Sequence, residues 1–344
     1  MRSRKTTRSA GAVPVTAPFR TAARWILRLL IPLGIGAALL VLLHRAGFDL
    51  LPDADVLRGL DLRWFVASQV CVALAFVVRA ARMRHLVAPV PLREIFAIEW
   101  WSHAANFLLP LRLGELVRPG LYARRGGMPM TAAMASSFAD RLLEGLVLLV
   151  PFAAAIPLGA PLRPLPETIG TLPVPTVFVP VYAYLVIGAY LAVFALLLSM
   201  QRAPSFLPGR FERLAEQLAA GLSFLRSPAV MLLYLTEVLA FWVLSVAGFV
   251  CLTWAVGIED IGVVRAWAVI GTTALGAMLP AAPGYLGTYQ LAAYAGLALY
   301  LPAEMVLGAG ADLVAMVYVL AWLQMAVFAA LGAWLVAAGR RRWR

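Results

Sequence analysis

Charged residues are scarce in this chain of 344 amino acids: they make up 13% of it, whereas hydrophobic residues make up 62%. The mean hydropathy is +0.86. A soluble domain needs a charged and polar surface, whereas apolar runs of about 20 residues can cross the hydrocarbon core of a bilayer as helices. The composition therefore excludes an ordinary soluble protein and predicts an all-α polytopic membrane protein.

Cysteine and histidine are also rare, with two cysteines and three histidines. Cys71 and Cys251 both lie within apolar runs, and the histidines lack the spacing of a metal site. These residues predict neither a disulfide framework nor a metal centre. We expect no cofactor.

Lysine is nearly absent, because Lys5 is the only lysine among the 29 lysines and arginines. A formal net charge of +12 would suggest nucleic acid as a partner of a soluble protein. Here the arginines lie in short segments between apolar runs, as the positive-inside rule of membrane proteins predicts. We therefore expect membrane lipid, and not nucleic acid, as the partner.

Residues 1–25 form a basic tail, and no acidic residue precedes Asp49. Such a tail fits either an organelle transit peptide or a bacterial cytoplasmic segment that leads into an uncleaved signal anchor. No A-x-A site ends the apolar run that follows, which favours the signal anchor. The expected location is the bacterial inner (plasma) membrane.

One transmembrane domain is predicted over residues 26–338, with about six full spans. Cations are concentrated in segments 79–93, 112–125 and 201–226 and at both chain ends, whereas the other connections are neutral or acidic. This distribution predicts that both termini are cytoplasmic. The six spans are Ile26–Leu43, Leu62–Val78, Thr131–Ile156, Val174–Met200, Ala229–Val256 and Val306–Ala338.

Two further apolar regions, 94–126 and 264–301, are interrupted by proline and glycine. The first lies between two cationic segments, so it should enter and leave on the cytoplasmic side as a re-entrant pair of half-helices. Its break reads LLPLRLGEL, with Pro110 and Gly114; the other reads MLPAAPGYLG, with Pro280 and Gly284. Both breaks contain L-P-x-x-x-G and follow spans of opposite direction.

This recurrence indicates an inverted-topology repeat, with halves at about 62–200 and 229–338. Two short matches could also arise by coincidence in a chain rich in Leu, Pro, Gly and Ala. Segment 201–228 between the halves has apolar residues at helical spacing and predicts a cytoplasmic amphipathic connector. It would either lie at the membrane interface or pack one face on the bundle.

The third span contains the stretch SSFADRLLEG, in which Asp140, Arg141 and Glu144 share one helical face with Ser137. Each charge near the bilayer centre costs roughly 2.5–3.5 kcal/mol, so such residues are functional candidates. Arg141 can pair with Glu144, which leaves Asp140 for another partner. The cluster is either a structural ion-pair group or a cationic site for a phosphate-bearing headgroup.

The stretch NFLLPLRLGELVRP contains the first break and three charged residues, Arg112, Glu115 and Arg118. If a second half-helix begins with RLGELVR, these residues form one stripe beside a helix N-terminus that attracts anions. Irregular backbone at membrane depth is tolerated where it lines a cavity. The alternative is that Arg112 and Arg118 extend to the interface.

Two other features are functional candidates. Glu237 is a lone acid within a span, and it would be either a proton-coupling carboxylate or a neutral core residue. The run PAAPGYLGTYQ places Pro280, Pro283, Gly284 and Gly287 at the second break, where small side chains suit a close ligand or tight helix packing.

These two blocks carry a family resemblance. NFLLPLRLGELVRPGLYARRGGMPMTAAMASSFADRLLEGLVLL and LPAAPGYLGTYQLAA resemble the two signature blocks of the lysylphosphatidylglycerol synthase transmembrane family, which is flippase-like. The resemblance covers about residues 25–338. Asp140 departs from it, because many members carry Glu there. The matching positions are Asn106, Pro110, Arg112, Gly114, Glu115, Arg141, Pro283, Gly284 and Gly287.

The resemblance implies a short, stand-alone member without the aminoacyl transferase domain of the long members, so lipid aminoacylation is not implied and an enzyme is not expected. It implies movement of an anionic-head phospholipid, glycolipid or other amphiphile between leaflets. The predicted binding residues are Asn106, Arg112, Glu115, Arg118, Asp140, Arg141 and Glu144, of which Asn106, Arg112, Glu115 and Arg141 match the family's blocks. The alternatives are an intramembrane lipid-modifying enzyme that uses Asp140 and Glu144 as acid and base, or a scaffold for lipid-biosynthesis enzymes, for example of hopanoids. The oligomeric state is not predicted.

Overall fold

The computed structural model of the protein describes residues 30, 33–48, 51–87, 90–169, 172–173, 178–202, 220–278 and 282–339, with the side chains of 110–112, 169, 172–173, 178–180, 197–202 and 339 left undescribed. The basic tail, most of the connector and Pro280 lie outside the described residues. The helices are α1 (Leu33–Arg45), α2 (Ala54–Arg58), α3 (Leu62–Ala81), α4 (Leu92–Leu108), α5 (Val117–Arg125), α6 (Met130–Leu158), α7 (Phe178–Arg202), α8 (Pro228–Ala255), α9 (Val263–Ala277), α10 (Thr288–Ala298), α11 (Ala303–Leu307) and α12 (Ala309–Gly339).

Short elements join the helices. Four 3₁₀ segments cover Arg82–His85, Pro110–Leu116, Ser223–Arg226 and Pro283–Tyr285. Strands β1 (Thr168–Ile169) and β2 (Leu172–Pro173) pair antiparallel in the loop after α6.

Four helical stretches of the described residues are long and apolar enough to cross a membrane: Leu62–His85, Met130–Leu158, Pro228–Ala255 and Ala303–Ala338. They coincide with four of the six predicted spans. The other two predicted spans overlap the shorter apolar helices Leu33–Arg45 and Val181–Leu196, which adjoin residues outside the description. The prediction of an all-α polytopic membrane protein is confirmed.

Helices α3 and α8 pack side by side and run antiparallel. The rings of Trp64 and Trp254 lie 4.5 Å apart at the start of α3. The rings of Phe76 and Phe241 follow at 6.0 Å, and Glu237 comes opposite the end of α3. The residue numbers of the contacting partners increase along α3 and decrease along α8, so the two helices run in opposite directions.

The first interrupted region folds into a helical hairpin of α4 and α5, joined by the 3₁₀ segment. Arg125 Nη1 bonds Glu94 at 2.9 Å near the open end, and Asn106 Nδ2 donates to Glu115 Oε1 at 3.0 Å near the tip. A Cβ atom added to Gly114 would lie 2.2 Å from the Cα of Asn106. Only glycine allows the returning chain to approach α4 this closely.

The second interrupted region forms a similar hairpin of α9 and α10. A Cβ atom on Gly276 would lie 2.2 Å from the Cβ of Ala292. At the tip, Gly284 has φ +68° and Gly287 has φ +82°, which glycine adopts most readily. The small residues at this break therefore serve tight turning and close helix packing.

The packing of the two hairpins is reciprocal. Helix α4 of the first hairpin packs against α12, and α9 of the second packs against α6. Helices α3 and α8, which precede the two hairpins, pack against each other. This exchange is the arrangement expected of an inverted-topology repeat. The boundaries of the two halves, about 62–200 and 229–338, stay a prediction.

The described end of the connector packs against the bundle. Ser136 Oγ on α6 donates to the carbonyl oxygen of Gly221 at 2.9 Å. Leu222 and Phe224 are both buried. The described end of the connector therefore packs on the bundle, which is one of the two alternatives that the sequence left open.

Candidate functional site

A network of charged side chains lies inside the helical bundle. We call it the charge network; it links α3, the turn after α3, the first hairpin and α6 through ion pairs shorter than 4 Å. Its members are Arg79, Arg82, Arg118 and Arg141 with Glu99, Glu115, Asp140 and Glu144. The four positive and four negative formal charges cancel.

Asp140 lies at the centre of the charge network, and its side chain has no exposed surface. Arg82 Nε donates to its Oδ1 at 3.0 Å, and Arg118 Nη1 donates to its Oδ2 at 2.7 Å. The hydroxyl of Tyr234 donates to Oδ1 at 2.7 Å. One carboxylate on α6 therefore holds together two guanidinium groups and a tyrosine from three other segments.

Glu144 follows one turn later on α6 and is the second junction of the charge network. Arg79 Nη2 lies 3.1 Å from its Oε1, and Arg82 also pairs with it. Arg141 Nη1 lies 3.7 Å from Glu144 Oε2, as the i,i+3 spacing predicted. The arginines at the end of α3 are thereby fixed to α6.

Arg118 is buried, with 4% of its side chain exposed. Besides Asp140, it pairs with Glu99 at 3.4 Å and donates to the carbonyl oxygen of Ser137 at 2.9 Å. The hydroxyl of Tyr122 donates to Glu99 at 2.7 Å. The alternative that Arg118 extends to the interface does not hold, because its partners lie in the bundle.

Arg141 and Glu115 form the exposed edge of the charge network. Arg141 Nε donates to Glu115 Oε2 at 3.1 Å, and the two side chains are 31% and 32% exposed. Asn106 Nδ2 donates to Glu115 and also to the hydroxyl of Tyr285 at 3.3 Å. Asn106 thus joins this edge to the tip of the second hairpin.

A cavity of about 440 Å³ opens beside this edge. We call it the charged cavity. Its charged side chains come from α3, α6 and the first hairpin, and α7, α8 and the second hairpin contribute Tyr190, Trp242, Ala274, Ala277, Met278 and Tyr285. The polar or charged lining residues are Arg79, His103, Asn106, Glu115, Ser137, Arg141 and Glu144.

The structure brings together six of the predicted binding residues: Asn106, Glu115, Arg118, Asp140, Arg141 and Glu144. The side chain of Arg112 lies outside the described part, as does that of Pro110. The stretch RLGELVR, considered as the start of a second half-helix, lies mostly in the 3₁₀ segment Pro110–Leu116, which continues directly into α5 at Val117. The tighter turn carries the chain around the hairpin tip, with Gly114 against Asn106.

Glu237 lies apart from the charge network, near the end of α3. It pairs with Arg84, and its Oε2 lies 3.1 Å from His85 Nε2. Glu237 is the only acidic residue of α8, as the sequence indicated, but it is not isolated, because two basic side chains face it across the α3–α8 interface. Its predicted role in proton coupling stays untested.

Three members of the charge network were missed from the sequence. Arg79 and Arg82 looked like cytoplasmic loop cations, and Glu99 lay in a stretch considered only for its break. The available signal was the spacing of Arg79 and Arg82, which places both on one face of a helix that continues from an apolar span. Their acidic partners on α6 follow about 60 residues later, so the sequence alone does not show the pairing.

Among the described residues, no group of three or more histidine, cysteine, aspartate or glutamate side chains is placed to hold a metal ion. The fold and the site therefore define a polytopic helical membrane protein with two facing helical hairpins and a charged cavity at their tips. Residues 25–321 match the family model described as lysylphosphatidylglycerol synthase TM region, so the chain belongs to this lipid-related membrane family. Comparisons with curated proteins and with solved structures give no match.

Proposed function

We propose that the protein is a flippase-like lipid translocase of the inner membrane, which moves an amphiphile with an anionic head between leaflets. The observation that carries the proposal is the Arg141–Glu115 pair, which is about one-third exposed on the wall of the charged cavity. Family membership supports a lipid as the ligand. The remaining arginines of the charge network are at most 10% exposed and hold the bundle together.

Arg141 is the headgroup ligand in this proposal. Its guanidinium fork matches phosphate or carboxylate oxygens, and it lies within a protein interior where such contacts are stronger than in water. In the absence of lipid, Glu115 neutralises Arg141. An incoming anionic head would take over part of this pairing, so the site can exchange partners without leaving an isolated buried charge.

The hairpin tips provide the moving parts. Asn106 connects Glu115 of the first hairpin to Tyr285 of the second by hydrogen bonds. Discontinuous helices that meet inside a membrane protein are a common basis of alternating access. Headgroup binding at Arg141 would alter the contacts of Glu115. Because Asn106 connects Glu115 to Tyr285, this change would also affect the contact between the two hairpin tips.

The test uses purified protein with Arg141→Gln, and Arg125→Gln as the matched control. Arg125 also pairs with a glutamate and is 35% exposed, but it lies at the open end of the hairpin, away from the charged cavity. Native mass spectrometry should show an anionic lipid retained by the wild type and by Arg125→Gln and lost by Arg141→Gln. Transport of a fluorescent analogue of that lipid in reconstituted vesicles should follow the same order.

Two results would contradict the proposal. One is equal lipid retention in all three proteins, which would favour the scaffold alternative. The other is full transport by Arg141→Gln, which would remove Arg141 from the site. Thermal unfolding in detergent must show that both variants remain folded, since loss of fold would also abolish binding.

A further inference from the structure

A second cavity of about 350 Å³ lies between α3, the end of α4, α8, α12 and the second hairpin. We call it the apolar cavity, because its wall consists mostly of aliphatic and aromatic side chains. Phe107, Phe241, Ile270, Val317 and Met325 are among them. A cavity with this lining offers dispersion contacts to a hydrocarbon chain, whereas water gains few hydrogen bonds there.

The apolar cavity adjoins the charged cavity. Five residues line both of them: His103, Trp242, Ala274, Ala277 and Tyr285. Tyr285 has φ +55°, a conformation that residues other than glycine rarely adopt, and it is fixed by its hydrogen bond to Asn106 and its ring contact with Phe107. These five shared residues therefore form the boundary between the two cavities.

The two cavities extend in different directions from this boundary. The charged cavity is lined by Arg79, near the end of α3, and by Pro119 of α5. The apolar cavity is lined by Ser68, near the start of α3, and by Leu252, near the end of the antiparallel α8. Along α3 the charged cavity is therefore followed by the apolar cavity. This order matches that of the polar head and the apolar tail in an amphiphile.

We infer that the apolar cavity binds the hydrocarbon tail of the same amphiphile whose anionic head occupies the charged cavity. This inference rests on the proposed function and extends it, because it places one tail inside the protein and not in the surrounding bilayer. The occupant is a chain of methylene or isoprenoid units, since the lining offers dispersion contacts and few hydrogen bonds.

The experiment locates the tail by cross-linking. Full-length protein in detergent is mixed with phosphatidylglycerol that carries a photoreactive diazirine at the end of one acyl chain, irradiated and mapped by mass spectrometry. Adducts should appear on α12 at Val317 or Ala321 and on α9 at Ile270, which line the apolar cavity. Adducts confined to outward-facing residues such as Leu323 and Val327, which are 59% and 54% exposed, would overturn the inference.

A filled cavity provides the matched control. Ala321→Phe places a ring in the apolar cavity, whereas Leu323→Phe changes the lipid-facing side of the same helix. We call the adducts on residues that line the apolar cavity the inner adducts. They should be lost in Ala321→Phe and kept in Leu323→Phe. If Ala321→Phe does not fold, Ser245→Leu fills the cavity from α8 and should also lose them. Inner adducts that persist in a folded cavity-filling variant would contradict the inference.

The Arg141→Gln protein separates this inference from the proposed function. Inner adducts that disappear in Arg141→Gln support a head and a tail bound together. Inner adducts that persist there would support the tail site while removing Arg141 as the headgroup ligand. Adducts on the outer surface alone, with lipid retention that still depends on Arg141, would overturn the tail site and leave the headgroup site intact.

Discussion

Arg118 Nη1 lies 2.7 Å from Asp140 Oδ2, and the two side chains are 4% and 0% exposed. Two residues that sequence patterns place among headgroup ligands are thus joined to each other. The charge network thus has two parts. The part around Asp140 is buried, and we call it the sealed part; the other is the exposed edge at Arg141 and Glu115. Sealed charges stabilise the bundle, whereas exposed ones remain able to bind a ligand.

The sealed part should therefore govern stability. Replacing Arg82, which has no exposed side-chain surface, by Gln leaves Asp140 and Glu144 with one buried partner fewer. We expect the free energy of unfolding to fall by about 3–5 kcal/mol, as for other broken buried pairs. Thermal unfolding in detergent should show a large decrease in the melting temperature for Arg82→Gln.

Arg125→Gln is the control for this measurement, because its pair with Glu94 is partly exposed. A pair of that kind contributes about 0–1 kcal/mol. Equal melting temperatures for Arg82→Gln and the wild type would show that the sealed part does not support the fold.

The first hairpin gives a second prediction. Gly114→Ala introduces a Cβ atom 2.2 Å from both the Cα and the backbone nitrogen of Asn106, and backbone atoms cannot move aside as a side chain can. We expect the hairpin tip to open, with loss of folded protein and of the contact between Asn106 and Glu115. The yield of monodisperse protein in size-exclusion chromatography and its melting temperature measure this.

Gly120→Ala is the matched change on α5, where a Cβ atom would meet nothing within 4 Å. Alanine is favoured over glycine inside a helix by up to about 1 kcal/mol, so this variant should be as stable as the wild type or slightly more stable. Similar behaviour of the two variants would contradict the close approach of Gly114 to Asn106.

The second hairpin tip allows conformational strain to be separated from packing. Gly257 and Gly284 both have positive φ, at +81° and +68°. A Cβ atom meets nothing within 4 Å at Gly257 but would lie 2.6 Å from Trp322 Cζ2 at Gly284. Gly257→Ala should cost about 1–2 kcal/mol from the left-handed conformation alone, and Gly284→Ala should cost more.

Chemical or thermal unfolding of the two variants under one set of conditions tests this order. If Gly284→Ala is the more stable of the two, then the tip does not pack on Trp322 as described. The comparison requires no assumption about ligand binding.

Local signals predicted the membrane class and the two breaks. Pro110 and Gly114 mark the first break because proline lacks a backbone donor and glycine permits close approach, which are properties of single residues. The same reasoning located the second break at Pro280 and Gly284, and Gly284 lies at the tip of the second hairpin. Hydropathy likewise located the spans that correspond to α3, α6, α8 and α12.

The assignment of individual charges needed the tertiary structure. Arg82 ends an apolar span, as cytoplasmic cations commonly do, and only its contact with Asp140 shows that it is buried. For the same reason Glu237 looked isolated, although Arg84 and His85 reach it from the neighbouring helix. Such pairs lie from 58 to 153 residues apart, beyond any helical periodicity.

The packing of α3 on α8 can be tested with the two native cysteines. Cys71 on α3 and Cys251 on α8 are both free and partly buried, and a Cβ atom on Gly248, one turn before Cys251, would lie 3.3 Å from the Cβ of Cys71. Because the antiparallel register brings these thiols together, a mild oxidant or a short bifunctional thiol reagent should link them within one chain. Peptide mapping of the detergent-solubilised protein should detect the joined α3 and α8 fragments, and Cys251→Ser should abolish the product. Links formed only between separate chains, or free thiols that react independently under all conditions, would contradict the packing of the two helices and with it the reciprocal arrangement of the hairpins.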